Sequence, residues 1–249
     1  MLEIILLSIT QGITEFLPVS SSAHLILVSK FINSSNENLT LDISLHFGSL
    51  LAVLFFFKKE ILNFLNNKSL FLKIIIASFP TIIFGYLFVK LNIIDQLRNI
   101  NVIGFTTIFF GILLYISDKS KTNKNIINDF KIKDSVYIGF AQILSLIPGV
   151  SRSGITITFA RFLNFNRVES AKISFLLSIP TLIAICSYNF IKIVQINILQ
   201  ITMQNFFGMI LSFIFSLLTL KIFINFVKKF SLVFFVFYRI FLGVLIFTL

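Results

Sequence analysis

Charge is scarce in this chain. Only 12% of its 249 residues are Asp, Glu, Lys or Arg, against about 25% in soluble domains. That scarcity excludes an ordinary soluble fold. With 57% hydrophobic residues and a mean hydropathy of +0.97, the composition is that of an integral membrane protein with several spans. Acid is scarcer than base, 10 residues against 21, for a net charge of +11. Basic cytoplasmic loops account for that excess, so no nucleic-acid partner is expected. Cysteine occurs once, at Cys186 in an apolar run. An internal disulfide is therefore excluded, and the thiol packs as a small hydrophobe. Tryptophan is absent while Phe occurs 33 times. Beside the abundant Ile, Asn and Lys, this is the bias of an AT-rich coding sequence. The Phe residues read as apolar filling, not as ligand platforms. The first twelve residues hold Glu3 but no Lys or Arg. A secretory signal needs a positive n-region, so this segment reads as part of the mature fold.

Polar residues are present in two concentrated stretches. Residues 11–25, QGITEFLPVSSSAHL, put a carboxylate, an amide, three serines and a histidine between apolar arms. Residues 148–158, PGVSRSGITIT, put an arginine between two serines in similar surroundings. The arms around them, 2–17 and 21–32, then 135–147 and 152–163, are shorter than the roughly 20 residues needed to cross a bilayer. Short arms around a polar, Pro-containing break predict re-entrant hairpins that line protein or a water-filled cavity. The competing reading is one ordinary span with a kink.

Apolar spans are expected at 41–57, 74–89 (kinked at Pro80), 102–117, 173–191, 203–224 and 231–249. Loops are expected at 33–40, 90–101 and 118–134. The order is hairpin plus three spans, twice. Val19-Ser20 and Val150-Ser151 echo one another 131 residues apart, as do Gln11 and Gln142. A fainter echo joins Pro80-Thr81 to Pro180-Thr181 at another offset. A hairpin returns to its own side and three spans change sides, so the second half is inverted relative to the first. The expected fold is an all-α polytopic membrane protein: an inverted repeat of six transmembrane helices plus two re-entrant hairpins. It forms one integral membrane domain over 1–249, with halves at about 1–117 and 135–249.

Loop charge orients this topology. Lys30, Lys90, Arg98 and Lys192 fall on one side, against fourteen Lys and Arg on the other; Arg152, Arg161 and Arg239 lie within arms or spans, completing the 21. The richer side is cytoplasmic. Both termini and the opening of the first hairpin then face outward.

Gln11 and Glu15 are four apart and share a helix face. A carboxylate at membrane depth is a functional candidate. Glu15 can bind a divalent cation with Gln11 as a neutral oxygen ligand, manage a proton, or simply pair with an arginine. Ser20, Ser21 and Ser22 open the second arm. They can cap it or bind phosphate at its N-terminus. Ser21 and His24 are three apart, which suits a hydroxyl beside a base or a histidine acting on phosphorus. His46 lacks such neighbours and reads as structural. Arg152, between Ser151 and Ser153, presents a planar fork suited to phosphate oxygens. Gly149 and Gly154 allow close backbone approach, and Ser153–Thr156 begins a second helix N-terminus. Arg161 and Arg239 read as snorkelling or paired within the protein.

These residues resemble the undecaprenyl-diphosphate phosphatase family, also called the bacitracin-resistance proteins. The resemblance rests on Gln11-Gly-Ile-Thr-Glu15 running into Pro18-Val-Ser-Ser-Ser-Ala-His24, and on Pro148-Gly-Val-Ser-Arg-Ser-Gly154. It covers essentially the whole chain. It implies a bacterial inner-membrane enzyme that removes the terminal phosphate from a C55 polyprenyl diphosphate, with dependence on a divalent cation, Mg2+ or Ca2+. Carried over, Gln11 and Glu15 are the metal and acid–base pair, and Ser21 and His24 are the nucleophile candidates. Arg152 holds the diphosphate with Ser20, Ser22, Ser151, Ser153, Gly154 and Thr156. The amide at Gln11 leaves one carboxylate fewer for a metal than some members have. Partners are the lipid substrate and membrane lipids, with a homodimer as an open expectation. The alternative function is a transporter or flippase of an anionic or polyprenyl-phosphate substrate, since inverted repeats with midplane helix termini serve transport too.

Overall fold

The computed structural model describes residues 1–31, 39–63, 68–120, 123–195 and 202–248. Most of the loop expected at 33–40 lies outside them, as does the side chain of Ser22. The described residues form thirteen α-helices, one 3-10 turn over Leu144–Leu146 and no strand. Five helices are long and apolar enough to cross a membrane: α3 (Leu39–Phe56), α5 (Lys68–Lys90), α7 (Ile100–Asp118), α11 (Arg167–Gln195) and α12 (Met203–Lys229). The sixth expected span forms α13 (Val233–Phe247), only 15 residues long, or about 22 Å at 1.5 Å per residue.

The short arms form α1 (Leu2–Thr14), α2 (Ser21–Phe31), α9 (Ile132–Ile143) and α10 (Arg152–Phe162). Three one- or two-turn helices complete the set: α4 (Lys58–Asn63), α6 (Ile93–Leu97) and α8 (Ile126–Asp129). The last two interrupt the stretches expected to be loops at 90–101 and 118–134. Hydropathy marks only the apolar part of a helix, so α11 begins before its expected start. Its charged first turn is capped by Asn166, whose Oδ1 accepts from Glu169 N at 2.9 Å. Pro80 and Pro180 both lie inside continuous helices.

The packings include α3 with α12, α1 with α12, α7 with α13, α5 with α9, α11 with α3, α11 with α5, and α10 with α11 and with α7. Exchanging α1, α2, α3, α5 and α7 for α9, α10, α11, α12 and α13 carries the first six onto themselves, while the packings of α10 on α11 and α7 have no match of similar extent at α2 among the described residues. The packing of α1 on α2 likewise matches that of α9 on α10. The Pro80 and Pro180 echo falls on α5 and α11, which are not counterparts, so it carries no repeat signal.

Small residues let the helices approach. A Cβ at Gly48 of α3 would stand 2.3 Å from Met209 O of α12, a separation only glycine allows. Beside it Ser216 donates to Ser49 Oγ at 3.0 Å, Ser49 lies 3.2 Å from Ser212 Oγ, and Ser212 donates to Leu45 O at 2.7 Å. Polar hydroxyls are thus inside while large apolar groups are outside; Phe237 and Phe241 of α13 are 69% and 67% exposed. Such a surface is expected where lipid, not water, is the outer solvent.

One end of the bundle is tied by a single carboxylate. Asp118 accepts from Arg167 Nε at 2.7 Å and Nη2 at 3.0 Å, and from Leu232 N at 3.0 Å. Arg161 Nε stands 3.4 Å away. The C-terminus of α7, the α10–α11 turn and the α12–α13 turn therefore meet at the same end. Arg161 belongs to this joint, within the protein as expected.

Candidate active site

The two polar stretches meet. Each helix that follows one is preceded by a serine with positive φ, Ser20 at 74° before α2 and Ser151 at 71° before α10. Such a backbone costs an L-residue about 1–3 kcal/mol and persists where surroundings over-determine it. Here the hydroxyls turn inward onto their own helices. Gly154 N donates to Ser151 Oγ at 3.1 Å and Ala23 N to Ser20 Oγ at 3.4 Å. Gly149, with φ 91°, lies so close to α7 that a Cβ would collide with Thr106 Oγ1. Thr106 donates to Pro148 O at 2.7 Å and pins that turn.

The junction is ionic. Arg152 Nη2 donates to Glu15 Oε1 at 2.5 Å, with both side chains largely buried. Gln11 Nε2 donates to Glu15 Oε2 at 3.0 Å and lies 3.0 Å from His46 Nδ1. His46 Nε2 in turn stands 3.7 Å from Asp42 Oδ1. His46, read as structural from sequence, thus joins the Gln11–Glu15 network. The available signal is Asp42, four residues before it on one helix face. Gln11 Oε1 is buried and has no hydrogen-bond partner among the described residues.

The remaining predicted residues divide. Ser153 donates to Leu17 O at 2.6 Å, and Ser151 Oγ lies 3.1 Å from Ser153 Oγ. Ser153 therefore ties α10 to the first loop. Thr156 is fully buried; its hydroxyl faces Ser174 of α11 at 2.8 Å and its own helix carbonyls. Gly154 packs against the Arg239 guanidinium. Ser21, half-buried at the first position of α2, has no hydrogen-bond partner among the described residues. His24 is held at Nδ1 by Ser20 O at 2.7 Å and at Nε2 by the Tyr238 hydroxyl at 2.5 Å. It touches neither Glu15 nor Ser21 through a hydrogen bond.

Arg239 is fully buried. It donates to Thr107 O at 3.1 Å, Pro18 O at 3.3 Å, Gly149 O at 2.9 Å and Val150 O at 3.0 Å. One side chain thereby grips α7 and both polar loops. Its pairing within the protein is as expected, but its partners are carbonyls rather than an acid.

The chain's residues 4–245 match the family model described as Bacitracin resistance protein BacA. The chain belongs to this family. It is 46% identical over 249 residues to an undecaprenyl-diphosphatase of Pelagibacter ubique (strain HTCC1062), covering 100% of this chain and 97% of that protein. An undecaprenyl-diphosphatase of Campylobacter curvus (strain 525.92) is 40% identical over 255 residues, covering 97% of this chain and 96% of the relative. One of Jannaschia sp. (strain CCS1) is 36% identical over 255 residues, covering 97% and 95%. The matched span includes both polar stretches and α13 as far as residue 245, so the Glu15–Arg152 junction and its Arg239 anchor lie within what family membership covers.

Among the described residues no three His, Cys, Asp or Glu side chains cluster to hold a metal. The donor set at the junction is one carboxylate, shared with an arginine, and one orphaned amide oxygen. Gln11 turns its amide nitrogen, not this oxygen, to Glu15. The two therefore fit a hard cation only with the amide turned over, the cation's other oxygens coming from phosphate and water as for Mg2+ in phosphate sites. They do not form a cage.

Proposed function

We propose that this protein hydrolyses undecaprenyl diphosphate to undecaprenyl phosphate and inorganic phosphate, returning the lipid carrier to cell-wall synthesis. The observation that carries this reading is the Glu15–Arg152 junction. It brings a guanidinium, a carboxylate and two helix N-termini together among apolar helices, where a diphosphate on a lipid tail would sit. The relatives' names favour hydrolysis over the transporter alternative.

Arg152 would hold the diphosphate and neutralise charge that grows on the transferring phosphoryl group. Ser21 is the favoured attacker. Its Oγ bonds to the terminal phosphorus as the bond to the bridging oxygen breaks, and the lipid monophosphate leaves. Water then releases inorganic phosphate from the serine. His24 attacking phosphorus is the rival route. A serine hydroxyl needs a base, and His24, three residues on, is the one provided. Ser20, Ser22, Ser151, Ser153, Gly154 and Thr156 would shape the phosphate cradle, mainly by holding the α2 and α10 N-termini in place. A divalent cation, Mg2+ or Ca2+, held by Glu15 and Gln11 Oε1, would supply further charge neutralisation. Phosphate release by purified protein tests this reading. Release should stop in excess chelator and return with Mg2+ or Ca2+. Full activity in chelator would remove the cation, and no release under any condition would remove the phosphatase.

The arrangement we favour in the membrane is the inverted repeat: six spans counting α13, two re-entrant pairs (α1–α2 and α9–α10), and halves at about 1–117 and 135–249. The exchange symmetry of the six packings among α1, α3, α5, α7, α9, α11, α12 and α13 supports it. The basic loops that meet at Asp118 would face the cytoplasm, and both termini and the site would face outward in the inner membrane. Cysteines placed at Asn92 and Asn123 should react with an impermeant thiol reagent from outside and inside respectively, in a Cys186→Ser background; the reverse pattern would invert the orientation. Lipid contact accounts for the exposed apolar helices, so they lend the homodimer no support.

A further inference from the structure

His24 has both ring nitrogens engaged. Ser20 O can only accept, so Nδ1 carries the proton. The neutral ring then has its lone pair at Nε2, and the atom facing it is the Tyr238 hydroxyl at 2.5 Å, which must donate. The imidazole and phenol planes lie within 4° of parallel, with centroids 5.6 Å apart. The nitrogen that would take a proton, or attack phosphorus, is the one Tyr238 holds.

Tyr238 is not free to turn away. Its neighbour in sequence is Arg239, which fixes the rotation of α13 through Pro18 O, Gly149 O and Val150 O. Pro18 lies two residues before Ser20, the residue that holds the other side of the histidine. Two consecutive residues of α13 thus set the loop and the imidazole together. Tyr238 itself is 38% exposed.

We propose that Tyr238 is the positioning residue of His24. With Ser20 O holding the proton on Nδ1, it fixes the ring plane and keeps Nε2 occupied until the substrate's terminal phosphate arrives. A phosphate oxygen is a stronger acceptor for a phenol O–H than imidazole nitrogen. Substrate entry therefore transfers the Tyr238 donor to phosphate and exposes Nε2 to the proton of the attacking group. The proposal rests on the phosphatase reading for its timing, but the hydrogen bond itself does not.

The chain has two histidines, so 15N-histidine solid-state NMR of the full protein in lipid resolves them, with His46→Gln identifying His24. Wild-type His24 should be the neutral Nδ1–H tautomer. Tyr238→Phe should shift the Nε2 resonance, leave the Nδ1–H tautomer that Ser20 O holds, and lower kcat roughly tenfold with KM within about twofold, the scale of losing one orienting partner. A wild-type Nε2–H tautomer overturns the proposal, whether or not the Phe variant folds. So does a Phe variant with unchanged kcat, or one that loses kcat while its His24 spectrum stays as in wild type. If wild-type protein releases no phosphate, the phosphatase reading fails while the tautomer still decides the bond.

Discussion

Arg152→Ala should cut phosphate release about a thousandfold, the upper range for losing one pre-aimed donor to a developing charge. Two losses coincide at this residue. The phosphoryl group loses its guanidinium, and Glu15 is left as a largely buried carboxylate with only the Gln11 amide beside it. Breaking a buried pair from one side is costly because the remaining charge is uncompensated. Arg152→Lys should recover little, since a point charge cannot reproduce a planar fork. Binding of a non-hydrolysable methylene-diphosphonate lipid should weaken together with turnover, because the contact exists in the ground state and strengthens as charge builds. Ser21→Ala offers the contrast: turnover nearly lost, analogue binding kept. Arg152→Ala retaining more than a tenth of wild-type kcat/KM would show that the junction is structural and that the diphosphate is held elsewhere.

Much of this site is legible in the residues, for identifiable reasons. Glu15 and Arg152 stand out because ionised groups in apolar surroundings need a partner or a function. The two are complementary in charge, and each lies in one of the two polar stretches. The Val-Ser echo 131 residues apart marks the two serines whose backbones take positive φ, since a repeated local geometry leaves repeated residues. Other features leave no local trace. Tyr238 reaches His24 across 214 residues, and Arg239 reaches Pro18 across 221; neither pairing has a spacing to read. His46 has a local trace in Asp42, four residues before it, but its link to Gln11 crosses from α3 to α1 and has no spacing to read. Thr156 shares a helix with Arg152 but turns toward α11; its place in the motif does not give its direction. α13 is shorter than its apolar run, because hydropathy reports where lipid contact is tolerated and not where the helix is capped.

The same long-range contacts make Arg239 the residue whose loss should be felt most widely. Arg239→Ala should remove most of the folded protein. Four carbonyls, on Thr107, Pro18, Gly149 and Val150, would lose a donor at a site closed to water. Thr107 O keeps its place in the α7 ladder and Gly149 O keeps the Thr107 hydroxyl, which leaves Pro18 O and Val150 O unsatisfied. A buried acceptor left unsatisfied costs about 1–3 kcal/mol, so two leave a deficit that reaches the lower end of a domain's net stability, about 5–15 kcal/mol. Lysine offers three donors from one point and cannot span four carbonyls on three segments; it should rescue folding only in part. Methionine fills similar space with no donor, and so separates hydrogen bonding from packing. Size-exclusion profiles and melting temperatures in detergent should rank wild type above Lys, and Lys above Met and Ala. The positive-φ serines explain why the effect would reach the active site: Ser20 and Ser151 hold unfavourable backbones next to the carbonyls that Arg239 ties down. Without the anchor, the strained turns should relax and the Glu15–Arg152 junction should open. A methionine variant with wild-type melting and turnover would mean that the carbonyls find other donors and that the loops hold themselves.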